Sequence, residues 1–179
     1  MGRLGIVMLA LACSAPAQAS IGARIARRAS HLVGQDSLAT HRDDCSGFVE
    51  LVYRNEHVPL DGSSEELRRI AARRHALRFR RGRPGDLVFF RNTTGSREGI
   101  THVGIVDSVA RDGEATFVHR TNSGVVRSRL DLRRPRIERD ARGRVHNDIL
   151  RRAHRGSRAR LTGELFAGFA AADRLARRH

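Results

Sequence analysis

Three residues of this chain can together perform nucleophilic chemistry: Cys45, His102 and His119. A thiol attacks a carbonyl carbon when an imidazole within hydrogen-bond reach takes its proton and a third group holds that imidazole in one tautomer and orientation. Cys45 opens a run in which Phe48, Leu51, Val52 and Asn55 recur at helical spacing, with Val49 and Tyr53 widening the apolar face. The run therefore reads as a helix buried along one side, with Cys45 at its N-terminus. Unpaired amides and the positive end of the helix dipole favour thiolate there, so the Cys45 pKa is expected below its ordinary value of about 8.5. The plain alternative is a small buried hydrophobe, which describes most free cysteines.

The histidines fall on strands. Thr101 to Val106 alternates, placing His102, Gly104 and Val106 on one face and Val103 and Ile105 on the other. Ala115 to His119 reads as the next strand, joined through the hairpin signal Asp112-Gly113. A two-residue turn there would set His119 opposite Val106 and leave the two histidines on the order of 13 Å apart along the sheet. The expectation is instead a wider connection or a bulge that brings His102 opposite His119, within one hydrogen bond or one bridging water, with His102 also facing Cys45.

Positioning these groups requires a scaffold, and 179 residues suffice for one ordinary domain with extensions. Ile21 to Val33 reads as a packing helix ended by Gly34, and Gln35 to Arg42 as a surface loop. Ser63-Ser64-Glu65-Glu66 opens a further helix through a capping box, running to about His75. Leu87 to Phe90 is a short buried strand after the turn Arg81 to Asp86. A thiol-bearing helix followed by an antiparallel sheet bearing histidines is an α+β plan.

Composition bounds the setting. All 34 basic residues are Arg, and the formal charge is +15. Such a surface attracts anionic polymer or lipid, although the absence of Lys also fits a GC-rich coding sequence. Arg3, the apolar stretch Leu4 to Leu11 and Ala17-Gln18-Ala19 ahead of Ser20 read as an export signal over residues 1–19, too short to span a bilayer. Leu11-Ala12-Cys13 is a weaker, lipoprotein-type alternative that would anchor the chain to a membrane through Cys13. Cleavage after Ala19 leaves Cys45 as the single thiol of an exported protein, the situation of a candidate nucleophile rather than of a disulfide partner. Nucleic acid is not the expected partner: Trp is absent and Tyr single, which leaves little stacking surface. No histidine has Cys or carboxylate neighbours at ligand spacing, so no metal or other cofactor is expected.

Four blocks, Asp44-Cys45-Ser46-Gly47-Phe48-Val49, Arg83-Pro84-Gly85-Asp86-Leu87-Val88-Phe89-Phe90, His102-Val103-Gly104-Ile105-Val106 and Phe117-Val118-His119, resemble in type and order the NlpC-type cell-wall cysteine peptidases, whose fold is papain-like. The resemblance covers Ile21 to Val126. It implies a thiol-bearing helix packed on a small antiparallel sheet or half-barrel, and hydrolysis of peptidoglycan stem peptides, often between γ-D-glutamate and a diamino acid. By the same resemblance Cys45 is the nucleophile, His102 the general base and His119 the orienting residue, while Asp44 and Ser46 look like substrate contacts. Members usually carry a tyrosine before the cysteine, whereas the single tyrosine here, Tyr53, follows it. Gln35 and His41 are the residues of that loop able to donate to an oxyanion alongside the Cys45 amide.

The organisation expected is a leader (1–19), a peptidase-like domain (20–130) and an Arg-rich extension (131–179) whose apolar Leu161 to Leu175 returns to the same core. The chain is expected to act as a monomer on wall peptides or another wall polymer. Two other functions fit parts of the sequence: an amidase of the CHAP type cutting between sugar and peptide, and a non-catalytic Arg-rich module binding wall polymer.

Overall fold

The structure, a computed structural model, describes residues 19–40, 42–94, 98–154 and 156–177. Cys13, the expected leader up to residue 18, His41 and Arg155 lie outside the described residues. Three helices come first: α1 (Ile21–His31), α2 (Cys45–Arg54) and α3 (Ser64–Arg73). Each begins where a side chain can cap it. The Ser20 hydroxyl accepts from the Ala23 amide, and Ser63 and Glu66 form the expected reciprocal capping box on α3.

The strands are β1 (Leu77–Arg78), β2 (Leu87–Arg91), β3 (Ile100–Val109), β4 (Ala115–Thr121), β5 (Gly124–Leu130), β6 (Ile149–Arg151), β7 (Arg160–Leu161) and β8 (Phe166–Ala170). Two one-turn helices, α4 (Thr162–Leu165) and α5 (Ala172–Leu175), flank β8. Six strands form one antiparallel sheet in the order β1-β8-β2-β3-β4-β5, and β6 pairs with β7 in a separate ribbon. The fold is thus a thiol-bearing helix packed with its neighbours on an antiparallel sheet, the α+β plan read from the sequence.

The two faces of the sheet carry separate cores. Phe48, Val49, Val52 and Tyr53 of α2 and Ile25 and Ala29 of α1 pack against Leu87, Phe89, Val103, Ile105 and Val118. On the opposite face Val88, Phe90, Val106, Phe117 and Leu130 meet Leu165 and Phe169 from the end of the chain. Strands covered on both faces read as continuous apolar runs, which is the pattern of Leu87 to Phe90. Each fully buried side chain of this size contributes about 1.5–3 kcal/mol, so the few that clamp α2 fix its N-terminus firmly. Tyr53 belongs to this clamp: it is fully buried, and its hydroxyl donates to the Gly85 carbonyl at 2.6 Å.

The tail from residue 131 packs on the rest of the chain. Asp131, His146, Asn147 and Thr162 are buried, and β8 lies between β1 and β2 in the main sheet.

Candidate active site

Asp44 decides where α2 starts. Its Oδ1 accepts from the amides of Ser46 and Gly47, both at 2.9 Å, and from the Ser46 hydroxyl at 2.7 Å. Gly47 is required by crowding: a Cβ there would sit 1.9 Å from the Arg42 carbonyl oxygen of the incoming loop. The loop is tied to the sheet by Arg120 of β4, a nearly buried guanidinium whose Nε and Nη2 donate to the two Asp43 oxygens at 3.0 and 2.9 Å. This two-pronged pair holds the residues just before Cys45 against the strand that carries His119.

The histidines meet through a register that sequence did not foresee. Val106 pairs with Phe117 and Ile105 with Val118, and a bulge follows before Ser108 pairs with Thr116. The connection runs from residue 110 to 114, closed by bonds from Ala110 N to Glu114 O and from Gly113 N to Ala110 O. It is wider than a two-residue turn, but His102 and His119 are not directly opposed; they occupy diagonal positions on one face. Their rings still touch, with His102 Nε2 and His119 Nδ1 2.8 Å apart and the ring planes at 88°. Gly104 permits this. In that register it is the residue facing His119, and a Cβ on it would lie 2.9 Å from the Val118 carbonyl oxygen and 3.1 Å from the His119 Cβ. A side chain at Gly104 would therefore occupy the space over which the two rings meet.

The far nitrogen of His119, Nε2, lies 3.1 Å from the hydroxyl of Ser128 on β5. Ser128 was missed in the sequence, where only the pairing of β5 with β4 could have pointed to it. The relay fixes tautomers. If His102 is to accept a proton on Nδ1, its Nε2 carries hydrogen and donates to His119 Nδ1; His119 then carries hydrogen on Nε2 and donates to Ser128 Oγ.

Cys45, His102, His119, Ser128, Asp43, Asp44 and Arg120 line one cleft of about 940 Å³. Thr93 and Thr94 from the end of β2 and Ile149, Leu150 and Arg152 from the tail complete its walls. The tail thus builds one side of the cleft. Ser46 is not a wall residue: it is buried, and its hydroxyl is used by Asp44. Gln35 does not line the cleft either; it is exposed, and its carbonyl accepts from the Val125 amide at 2.9 Å. His41 lies outside the described residues.

The expected lowering of the Cys45 pKa is not what the fold produces. Burial pushes the thiol up to about 11; the backbone amide of Val103 pulls it down, the Asp44 charge raises it further, and the amides of Cys45 and Ser46 lower it. The helix-start amides act in the expected direction, but loss of solvent around the sulfur outweighs them. Burial also lowers His102, to about 4, against the opposing Asp44 charge. His119 is held well below its ordinary value, first by burial and then by its neighbour His102. At rest the cleft therefore holds a thiol and a neutral imidazole rather than a thiolate and an imidazolium.

A pH signature follows. Alkylation of Cys45 by iodoacetamide should keep accelerating with pH until near 11, whereas a resting ion pair would give a rate already flat at neutral pH. Stability should show the opposite end of the scale. Both histidines are depressed in the fold, so the unfolded chain binds protons first and stability falls as pH drops below about 6.5. Thiolate ultraviolet absorbance and thermal melts across pH measure the two effects.

A model of the NlpC/P60 family matches residues 33–140, more than half of the chain. The chain belongs to the NlpC/P60 family. The matched stretch of this NlpC/P60 chain contains Cys45, His102, His119 and Ser128, while the tail residues of the cleft wall follow it. Among solved structures it is similar to a lipoprotein-like NLP/P60 family protein from Staphylococcus aureus, at 20% identity and TM-score 0.43, over 65% of this chain and 39% of that one. It is also similar to an N-acetylmuramoyl-L-alanine amidase from Staphylococcus aureus, at 17% identity and TM-score 0.42, over 55% of this chain and 29% of that one. The chain thus spans well under half the length of either protein. No curated protein matches it.

Proposed function

We propose that this NlpC/P60 chain is an exported peptidoglycan hydrolase that cuts stem-peptide amides, between γ-D-glutamate and a diamino acid, with Cys45, His102 and His119 as its catalytic triad. The observation that carries the reading is the 2.8 Å contact between His102 Nε2 and His119 Nδ1 in the cleft that also holds Cys45. With Nε2 engaged, His102 has only Nδ1 left with which to take the thiol proton.

Cys45 Sγ attacks the amide carbonyl as its proton passes to His102 Nδ1. The imidazolium so formed is favoured by the Asp44 carboxylate, the one charge that raises the His102 pKa. His102 then hands the proton to the leaving amine, the C–N bond breaks, and an acyl-thioester remains on Cys45. Water, deprotonated by His102, hydrolyses that thioester and restores the thiol. Placing these groups beforehand spares the entropy of bringing them together.

The cleft suits such a substrate. Its volume is that of a site for a short peptide, and its walls carry cations at Arg120 and Arg152 beside carboxylates at Asp43 and Asp44. A stem peptide bears both carboxylates and an amine. Export rests on the leader pattern of residues 1–19, and Ser20, the first residue after the expected cut, caps α1. Among the described residues no helix is long and apolar enough to cross a membrane.

Digestion of purified peptidoglycan followed by mass spectrometry of the muropeptides tests the proposal. Fragments ending in free γ-D-glutamate are expected. Intact stem peptides released from the sugar would replace the peptidase by an amidase of the CHAP type, and no soluble product would favour a binding module.

A further inference from the structure

The geometry points to a binding site for one divalent transition-metal cation, of the Zn²⁺ class, built from Glu114, Asp131 and His146. Glu114 ends the β3–β4 connection, Asp131 follows β5, and His146 belongs to the Arg-rich tail. One donor atom from each lies within 4.8 Å of the others. His146 Nδ1 is 3.2 Å from Asp131 Oδ2 and 3.7 Å from Glu114 Oε2. Ligand atoms about 2.1 Å from a tetrahedral metal stand about 3.4 Å apart, so these spacings bracket the required one.

Proximity of acidic groups alone would not carry this. The second observation is that Asp131 Oδ2 and His146 Nδ1 are buried polar atoms without a hydrogen-bond partner, on residues that are 0% and 1% exposed. Atoms 3.2 Å apart that fail to form a hydrogen bond are not aimed at each other. A cation held between them would supply the partner that both lack. The other half of each group is anchored: Asp131 Oδ1 accepts from the Arg133 amide at 2.9 Å, which leaves Oδ2 free.

His146 makes the same point through its tautomers. Its Nε2 lies 3.0 Å from Arg134 Nη1 and 3.2 Å from Asp140 Oδ2. If Nε2 accepts from Arg134, the hydrogen sits on Nδ1 with no aligned acceptor. If Nε2 donates to Asp140, the Nδ1 lone pair faces two carboxylates. Neither state satisfies Nδ1 by protein atoms, and a cation satisfies it in the second. That state is the familiar carboxylate–histidine–metal arrangement, in which the outer carboxylate fixes the ring and raises its basicity.

Two of the nearby cations pair with the ligands themselves. Arg144 Nη2 donates to Glu114 Oε2 at 2.8 Å, and Arg133 Nε stands 3.5 Å from Asp131 Oδ1. A carboxylate oxygen has two lone pairs, so Glu114 can serve Arg144 and a metal together. The ligands are far apart in sequence, which is why no spacing motif announced them.

The site is separate from the cleft. Glu114, just ahead of β4, lies five residues before His119, on the order of 16 Å at the usual strand rise. Its effect is to fasten the tail to the β3–β4 connection, three residues before Ile149 and the cleft wall.

The test uses the whole mature protein, stripped with a chelator and titrated with Zn²⁺ alone. Calorimetry should give one ion per chain, the melting temperature should rise by several degrees, and Co²⁺ in place of Zn²⁺ should give the visible spectrum of a low-coordinate nitrogen–oxygen site. Glu114→Gln, a change at the least buried ligand, should weaken binding at least tenfold, while Cys45→Ala should not change it. No uptake of Zn²⁺ or Co²⁺ by the wild-type protein overturns the site. Uptake that Glu114→Gln and His146→Gln leave unaltered, or that Cys45→Ala removes, overturns it as well. Should His146→Gln fail to fold, Glu114→Gln and the wild-type Co²⁺ spectrum still decide. None of these readouts depends on hydrolysis.

Discussion

Cys45→Ala is expected to lower the rate of stem-peptide cleavage by roughly 10⁴-fold or more, since no group remains to form the covalent intermediate. The fold should survive the change. Cys45 is only partly buried, its side chain packs at the edge of the helix-side core, and Asp44 caps α2 independently of it. Cys45→Ser separates nucleophilicity from shape: the hydroxyl fits, but its much higher pKa leaves it dependent on a base tuned for a thiol. Both variants should melt within a few degrees of the wild type and bind wall fragments as before. Retained cleavage by Cys45→Ala would assign the chemistry to another group.

His119→Ala is expected to reduce kcat by about 10²- to 10⁴-fold with little change in KM, the range associated with losing well-placed acid–base assistance. In the proposed mechanism the ring orients His102 and does not itself touch substrate. Its loss leaves His102 Nε2 without its 2.8 Å partner, so Nδ1 is no longer held in the accepting tautomer. His119→Asn offers a side chain that can again accept from His102, and partial recovery relative to alanine is expected. A purely structural role would instead lower stability in both variants and leave the pH dependence of kcat unmoved. Ser128→Ala, one step further along the relay, should show the same pattern at reduced size.

What the sequence made legible was local. The α2 start at Asp44-Cys45, the Ser63–Glu66 capping box and the strands at Leu87, Thr101 and Ala115 each rest on periodicity or on bonds within a few residues. The features that were not legible depend on partners far along the chain. The diagonal meeting of His102 and His119 needs the bulge after Val106 and the missing side chain of Gly104, and neither can be weighed before the register is known. The Cys45 pKa was misjudged because the helix-start amides are visible in sequence while the desolvation that outweighs them is a tertiary property.

The tail is opaque in sequence for the same physical reason. Its arginines hide a segment that buries Asp131, His146 and Asn147, places β8 between β1 and β2, and lends Arg152 to the cleft. High charge density masked those few buried positions, which bond chiefly to one another and to the turns between Asp131 and Asp140.

During turnover Cys45 is expected to carry the acyl half of a stem peptide. Acid quenching of the protein in mid-reaction with a soluble stem peptide, followed by intact-mass and fragment mass spectrometry, tests it most directly. The predicted result is a mass increase equal to the acyl half of the substrate, located on Cys45, cleared on further incubation before quenching and absent from Cys45→Ala. Turnover with no adduct at any quench time, or an adduct on another residue, would contradict it.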